Sequence, residues 1–133
     1  MEEKPQAFYL VKVVVDANII FSAILNSNGK IGDLLINSKE KINFIAPDYL
    51  QHEIFKHYAK LSKLSGLTPI QLRKSEILIC KDIHFISLEQ ISESIWQNSL
   101  KLSSEVDEND TPYIALANQF RCKIWSGDKK LMN

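Results

Sequence analysis

Four acids carry the chemistry open to this chain: Asp16, Glu53, Asp110 and Asp128. Asp16 ends the β-branched run VKVVV at 11–15, and Asp128 closes Ser126-Gly127-Asp128 after the short apolar run KIW at 123–125. Glu53 lies one turn into the helix expected after a second apolar run at 42–46. Asp110 opens a helix between the third and fourth runs. If the runs are parallel strands of one α/β sheet, all four acids belong to the carboxyl edge, where such sheets gather their ligands. Carboxylates crowded there repel one another unless a cation neutralises them. Hard oxygen donors with no partnering Cys or His select Mg²⁺ or Mn²⁺ over zinc. A carboxylate-held divalent ion suits phosphodiester hydrolysis.

Each acid alone has a plainer reading. Asp16 and Asp110 are good N-cap residues, Glu53 alone reads as a solvated helix residue, and Asp107 and Glu108 read as surface residues. Only the set favours chemistry. Other candidates are weaker. His52 and His57 are five apart, about 140° around a helix, so they cannot jointly face one zinc ion. His57 instead falls on an apolar stripe, as a packed or rim histidine. Lys56, Lys60, Lys63, Arg73 and Lys74 offer a basic rim for phosphates, or simply a solvated helix surface. Trp96 and Trp125 read as core, and Ser22 and Ser126 lack a His-plus-acid set that would mark a nucleophile.

Placing the acids takes alternating strands and helices. A strand at 11–15, apolar on nearly every residue, fits a parallel sheet covered on both faces. A short helix over 18–25 ends at the turn formers Asn26-Ser27-Asn28-Gly29, and a second spans 31–38. The next strand is 42–46. Pro47-Asp48 then opens a long helix to about residue 65, with Leu50, Ile54, Tyr58 and Leu61 on one stripe and Glu53 about 60° from Leu50. Gly66 stops it. Thr68, Pro69 and Gln71 form a capping-box start for a helix to 79. After a third strand at 83–86, Ser87 with Gln90 reads as the cap of a helix carrying Leu88, Ile91 and Ile95 inward to about 102. Asp110-Thr111-Pro112 starts the last helix, which buries Tyr113, Leu116, Ala117 and Phe120, and 123–125 is the fourth strand. The pattern is α/β with a parallel sheet.

With 133 residues the expected organisation is one domain over 1–133, with a flexible leader at 1–10. A hydrophobic share of 45% and a charged share of 24% fit a soluble globular protein. The formal net charge is zero, so any polyanion must be held by a local patch or through metal. Cys80 and Cys122 form no CxxC pair and read as small buried residues in a reducing cytosol. No apolar run reaches the roughly 20 residues of a membrane span. No membrane partner is expected, and the expected compartment is the cytoplasm.

In four places the chain resembles a PIN domain, the metal-dependent ribonuclease fold of many prokaryotic toxin components. These are VVVDANIIFSAIL at 13–25, PDYLQHEI at 47–54, DENDTPYIALA at 107–117 and IWSGDKKL at 124–131. The resemblance implies a three-layer fold, with a short central parallel sheet of four or five strands flanked by helices. By position it makes Asp16, Glu53, Asp110 and Asp128 the acids that hold the metal. Asn18 and Ser126 match polar positions that orient the site, while Asp107 assists from behind or replaces Asp110 as ligand. Two features depart from the pattern. The chain stops five residues after Asp128, where similar proteins add a further strand. The sheet is thus four-stranded, or its edge is completed by a partner or by residues missing from this chain. The DEND run also has no nearby base to bind substrate. Haloacid-dehalogenase-like phosphatases need an acid where Asn18 stands. Receiver domains need an acid pair after the first strand and a late Lys, both missing here, and no Gly-rich fingerprint supports nucleotide binding.

The expected function is a Mg²⁺- or Mn²⁺-dependent endoribonuclease cutting single-stranded or loop RNA. A toxin role, a cognate antitoxin protein and a homodimer are further implications of the resemblance. The alternative is a catalytically silent PIN-like module that binds RNA or protein.

Overall fold

The computed structural model describes residues 10–104 and 107–126, without the side chain of residue 108. Asp128, a further strand after it, and all but the last residue of the expected leader lie outside the described residues. Among the described residues four parallel strands form one sheet: β1 (Val11–Val15), β2 (Ile42–Pro47), β3 (His84–Ile86) and β4 (Lys123–Trp125), in the order β3-β2-β1-β4. Val14 of β1 lies opposite Ile45 of β2 on one side and Ile124 of β4 on the other. In β2, Ile45 lies opposite His84 of β3. The chain therefore runs outward from β1 to β2 and β3, then returns to the other side of β1. The carboxyl end of β1 is the point where that winding reverses, which is where open α/β sheets form a crevice.

Neighbouring residues in a strand face opposite sides of the sheet. Val14 and Val15 are both fully buried, and so are Phe44, Ile45 and Ala46, so both faces of the sheet are covered. The burial is uneven along β1. Val11 is 63% exposed, so the apolar run is buried only in the half that leads to Asp16. Trp125 packs on Phe44 with ring centroids 6.0 Å apart.

Seven helices surround the sheet among the described residues. They are α1 (Ala17–Leu25), α2 (Lys30–Asn37), α3 (Tyr49–Lys56), α4 (Tyr58–Ser65), α5 (Pro69–Cys80), α6 (Glu93–Ser103) and α7 (Thr111–Phe120). α1 is the hub for α2, α3, α4 and α5, while α7 lies against β1, β2 and β4 and carries α6 on its outer side. The α6–α7 seam is polar but satisfied. Ser99 Oγ donates to the Ile95 carbonyl at 2.7 Å and accepts from Asn118 Nδ2 at 3.2 Å. The buried hydroxyls of Ser103 and Thr111 meet at 2.6 Å. Buried polar groups are tolerated when they pair in this way.

Two expected helices differ in their bounds. The long helix to residue 65 is broken at His57 (φ −101°, ψ 13°) into α3 and α4. The break contains neither Gly nor Pro. It coincides with a tertiary contact, the His57 ring meeting Phe21 of α1 edge-on at 5.6 Å. The apolar stripe survives it, with Leu50, Ile54 and Leu61 buried. The second difference concerns Ser87, which caps only a single 3₁₀ turn, Leu88–Gln90; Ile91 is then extended, and Ser92 caps α6 by accepting from the Ile95 amide. Other punctuation is as expected. Thr68 and Gln71 make a reciprocal capping box at α5, and Gly66 closes α4 in the left-handed region at φ 73°. Cys80 and Cys122 are half-buried rather than buried, and burial pushes the Cys80 thiol up to about 12. No single helix among the described residues is long and apolar enough to cross a membrane; α1 and α2 pass together only across a 107° bend.

Candidate functional site

Parallel pairing of β1 with β4 sets Val15 opposite Trp125, so the next residues, Asp16 and Ser126, emerge side by side at the carboxyl edge. The Asp16 amide donates to the Trp125 carbonyl at 3.1 Å, continuing the ladder by one residue. Ser126 Oγ donates to Asp16 Oδ2 at 3.1 Å, and both residues are only 4% exposed. Asp16 stands at the N-cap of α1, yet its side chain makes no cap hydrogen bond. The carboxylate is turned to another use than capping.

Glu53 approaches from α3. Its Oε1 accepts a 2.6 Å hydrogen bond from the hydroxyl of Tyr113 on α7, whose side chain is 1% exposed. Burial, followed by the bond to Glu53 and the charges of Glu53 and Asp16, drives the Tyr113 phenol far above its ordinary value. It stays a donor wherever Glu53 is ionised. Asp107 and Asp110 enter from the segment before α7. Asp107 Oδ1 accepts from the Asn109 amide at 2.9 Å, and the Asp107 carbonyl accepts from the Asp110 amide, folding one 3₁₀ turn over Glu108–Asp110. Asp110 is the N-cap of α7 without a side-chain cap bond, so the cap reading does not account for its carboxylate either.

These groups share one cleft of about 190 Å³, lined by Asp16, Asn18, Glu53, Asp107 and Asp110, with Tyr113 at its base. His57 and Phe21 also line it, with their rings packed edge-on. The field across it is negative. After burial, Glu53 and then Asp107 are the causes that raise the Tyr49 phenol. None of Lys56, Lys60, Lys63, Arg73 or Lys74 lines this cleft, and Arg73 is paired with Glu76 at 3.0 Å. The expected basic rim is not at the acids.

Of the residues singled out from sequence, Asp16, Asn18, Glu53, Asp107 and Asp110 lie together and Ser126 supports Asp16, while Asp128 lies outside the described residues. From sequence, Tyr113 reads as core alone. It stands three residues after Asp110, hence on the same helix face, and that spacing was the available signal.

Among the described residues, no three His, Cys, Asp or Glu side chains form a ready-made metal cage. The cleft fits a hydrated ion better than a stripped one. Mg²⁺ characteristically keeps several waters while binding through one or two carboxylates, which needs no ready-made cage. The donor set, carboxylates with the Asn18 amide and no thiolate, matches a hard divalent cation.

A family model for the PIN domain matches residues 14–133. The chain is also similar to an uncharacterised protein of Methanocaldococcus jannaschii, 32% identical over 127 residues, covering 92% of this chain and 74% of that protein.

Proposed function

The chain belongs to the PIN-domain family, and we propose that it is a Mg²⁺- or Mn²⁺-dependent endoribonuclease acting on single-stranded or loop RNA in the cytoplasm. PIN domains are generally nucleases and typically use divalent metals. One observation carries the finer reading: Asp16, Glu53, Asp107 and Asp110, from three separate stretches of the chain, line one cleft at the winding reversal of the sheet.

In this reading Asp16, Glu53 and Asp110 hold the ion, joined by Asp128. A bound divalent ion supplies a Lewis acid and neutralises charge beside the phosphodiester. Ser126 fixes the Asp16 carboxylate by its 3.1 Å bond, and Asn18 adds a neutral amide at the cleft wall. One of the acids orients the attacking water. Among the described residues no Lys or Arg lines the cleft, and its carboxylates would repel an RNA phosphate unless a bound divalent ion offset their charge.

A toxin role with a cognate antitoxin protein, and a homodimeric state, belong to the same proposal and rest on the family alone. The competing reading is a silent module that binds RNA or protein without cutting.

The decisive measurement is cleavage of unstructured RNA. Wild type should cut with Mn²⁺ or Mg²⁺ and stop with EDTA, and Asp16→Asn should be inactive in both metals. RNA bound but left intact by wild type in either metal would favour the silent module.

A further inference from the structure

We propose that Tyr113 is a positioning residue for metal binding: its hydroxyl holds one oxygen of Glu53, leaving that carboxylate a single oriented oxygen for the ion. This rests on the reading of the cleft as a divalent-metal site.

The geometry behind it is a strap across the cleft. Glu53 is on α3 and Tyr113 on α7, 60 residues apart in the chain, joined by a 2.6 Å phenol–carboxylate bond. That distance is shorter than the usual separation of about 2.7–2.8 Å for a hydroxyl donating to oxygen. The Tyr113 ring is 1% exposed and belongs to the apolar core, so the donor cannot swing away as a surface hydroxyl would. Tyr113 follows Asp110 by three residues on the same helix, so one rigid element presents an acid and fixes a second acid opposite it. A half-buried Glu left to itself samples several rotamers, and ordering it costs part of the affinity for an ion. Partners that orient metal ligands from behind typically matter 10–100-fold in affinity.

The fold contains its own control. Tyr58 donates to Glu76 at 3.0 Å, the same pair of groups, and neither residue lines the acid cleft. If Tyr–Glu bonds here only hold helices together, removing either should act alike.

The test is direct Mn²⁺ binding, read by the electron paramagnetic resonance of free Mn²⁺, on wild type, Tyr113→Phe and Tyr58→Phe. Tyr113→Phe should weaken Mn²⁺ binding by about 10-fold or more, whereas Tyr58→Phe should bind as wild type does, although both lose stability. Equal Mn²⁺ affinity in folded Tyr113→Phe and wild type overturns the inference while leaving the metal site standing. A wild type that binds no Mn²⁺ overturns the metal reading, and this inference with it. A second measurement needs no variant. With ¹³Cζ-labelled tyrosine in the wild-type protein, saturating Mg²⁺ should shift the Tyr113 resonance and leave that of Tyr58 in place. Two unmoved resonances count against the role.

Discussion

Asp110 poses the sharpest question for a single residue, because two carboxylates of one short turn compete for one role. Asp107 is exposed, whereas Asp110 is half-buried in the cleft. Asp110→Asn preserves the shape and removes one charge from a like-charged cleft. Without metal it should melt above wild type, by a few degrees for ~1 kcal/mol. Mn²⁺ should raise the wild-type melting point, because it binds the folded site alone, and raise Asp110→Asn much less. Asp107→Asn should keep most of the shift. The reverse pattern in thermal melts would make Asp107 the ligand. Ser126→Ala removes one donor from a carboxylate that is 4% exposed. Hydrogen bonds to charged groups are worth about 1.5–3 kcal/mol, and urea titration should show a loss near the lower end. A loss below ~0.5 kcal/mol would mean that Ser126 does not hold Asp16. Asp16 was legible because the β-branched run before it ends in abrupt polarity, whereas Glu53 and Asp110 stand on helices and drew notice only as members of a set. Tyr113 was not legible, since an aromatic at helical spacing reads as core, and only the partner 60 residues away gives its hydroxyl a purpose.

At the scale of elements, local signals worked where the backbone alone decides. Thr68 and Gln71 satisfy each other's amides within one turn and Pro69 needs no partner at the first helical position, so no distant residue is needed to see the start of α5. Ser87 with Gln90 offers the same pattern and caps a mere turn, because Ile91 leaves the helical region. Ser92 does the work for α6 but has Ile95 at the position where a reciprocal Glu or Gln would have advertised it. The break at His57 was illegible for a different reason. It occurs where α1 packs against both α3 and α4, a contact between segments far apart in the chain. From the caps follows a ranking. Thr68→Ala and Ser92→Ala should each cost about 1 kcal/mol, the usual value of an N-cap, and Ser87→Ala distinctly less, as it starts three residues of 3₁₀ helix. Chemical denaturation of the three variants checks the order. Ser87→Ala proving the costliest would restore the longer helix expected from the sequence.

At pH 7 the molecule as a whole carries no formal net charge, and its response to alkali should carry a contribution from buried neutral groups. Burial raises the thiols of Cys80 and Cys122 above 9.0 and the phenols of Tyr49, Tyr58 and Tyr113 above 10.0. Every one of these shifts has the same sign. The folded chain keeps protons that the unfolded chain releases once pH passes the unfolded values. Stability is then lost as pH rises, since the native state binds more protons than the unfolded one. The loss should begin near pH 9, where unfolded thiols ionise, and for Cys80 continue toward its folded value of about 12. The phenols join from about pH 10. Cys80 supplies the clean test, because burial, the largest cause, pushes it up to about 12. In Cys80→Ala the small apolar side chain stays and the ionisation is gone, so its stability at neutral pH serves as its own reference. Urea midpoints measured from about pH 7 to about pH 10 should fall in wild type and fall less steeply in Cys80→Ala over the first unit above 9. Parallel curves in the two proteins would show that the Cys80 thiol ionises as readily folded as unfolded, and would assign the alkaline loss to Cys122 and the tyrosines.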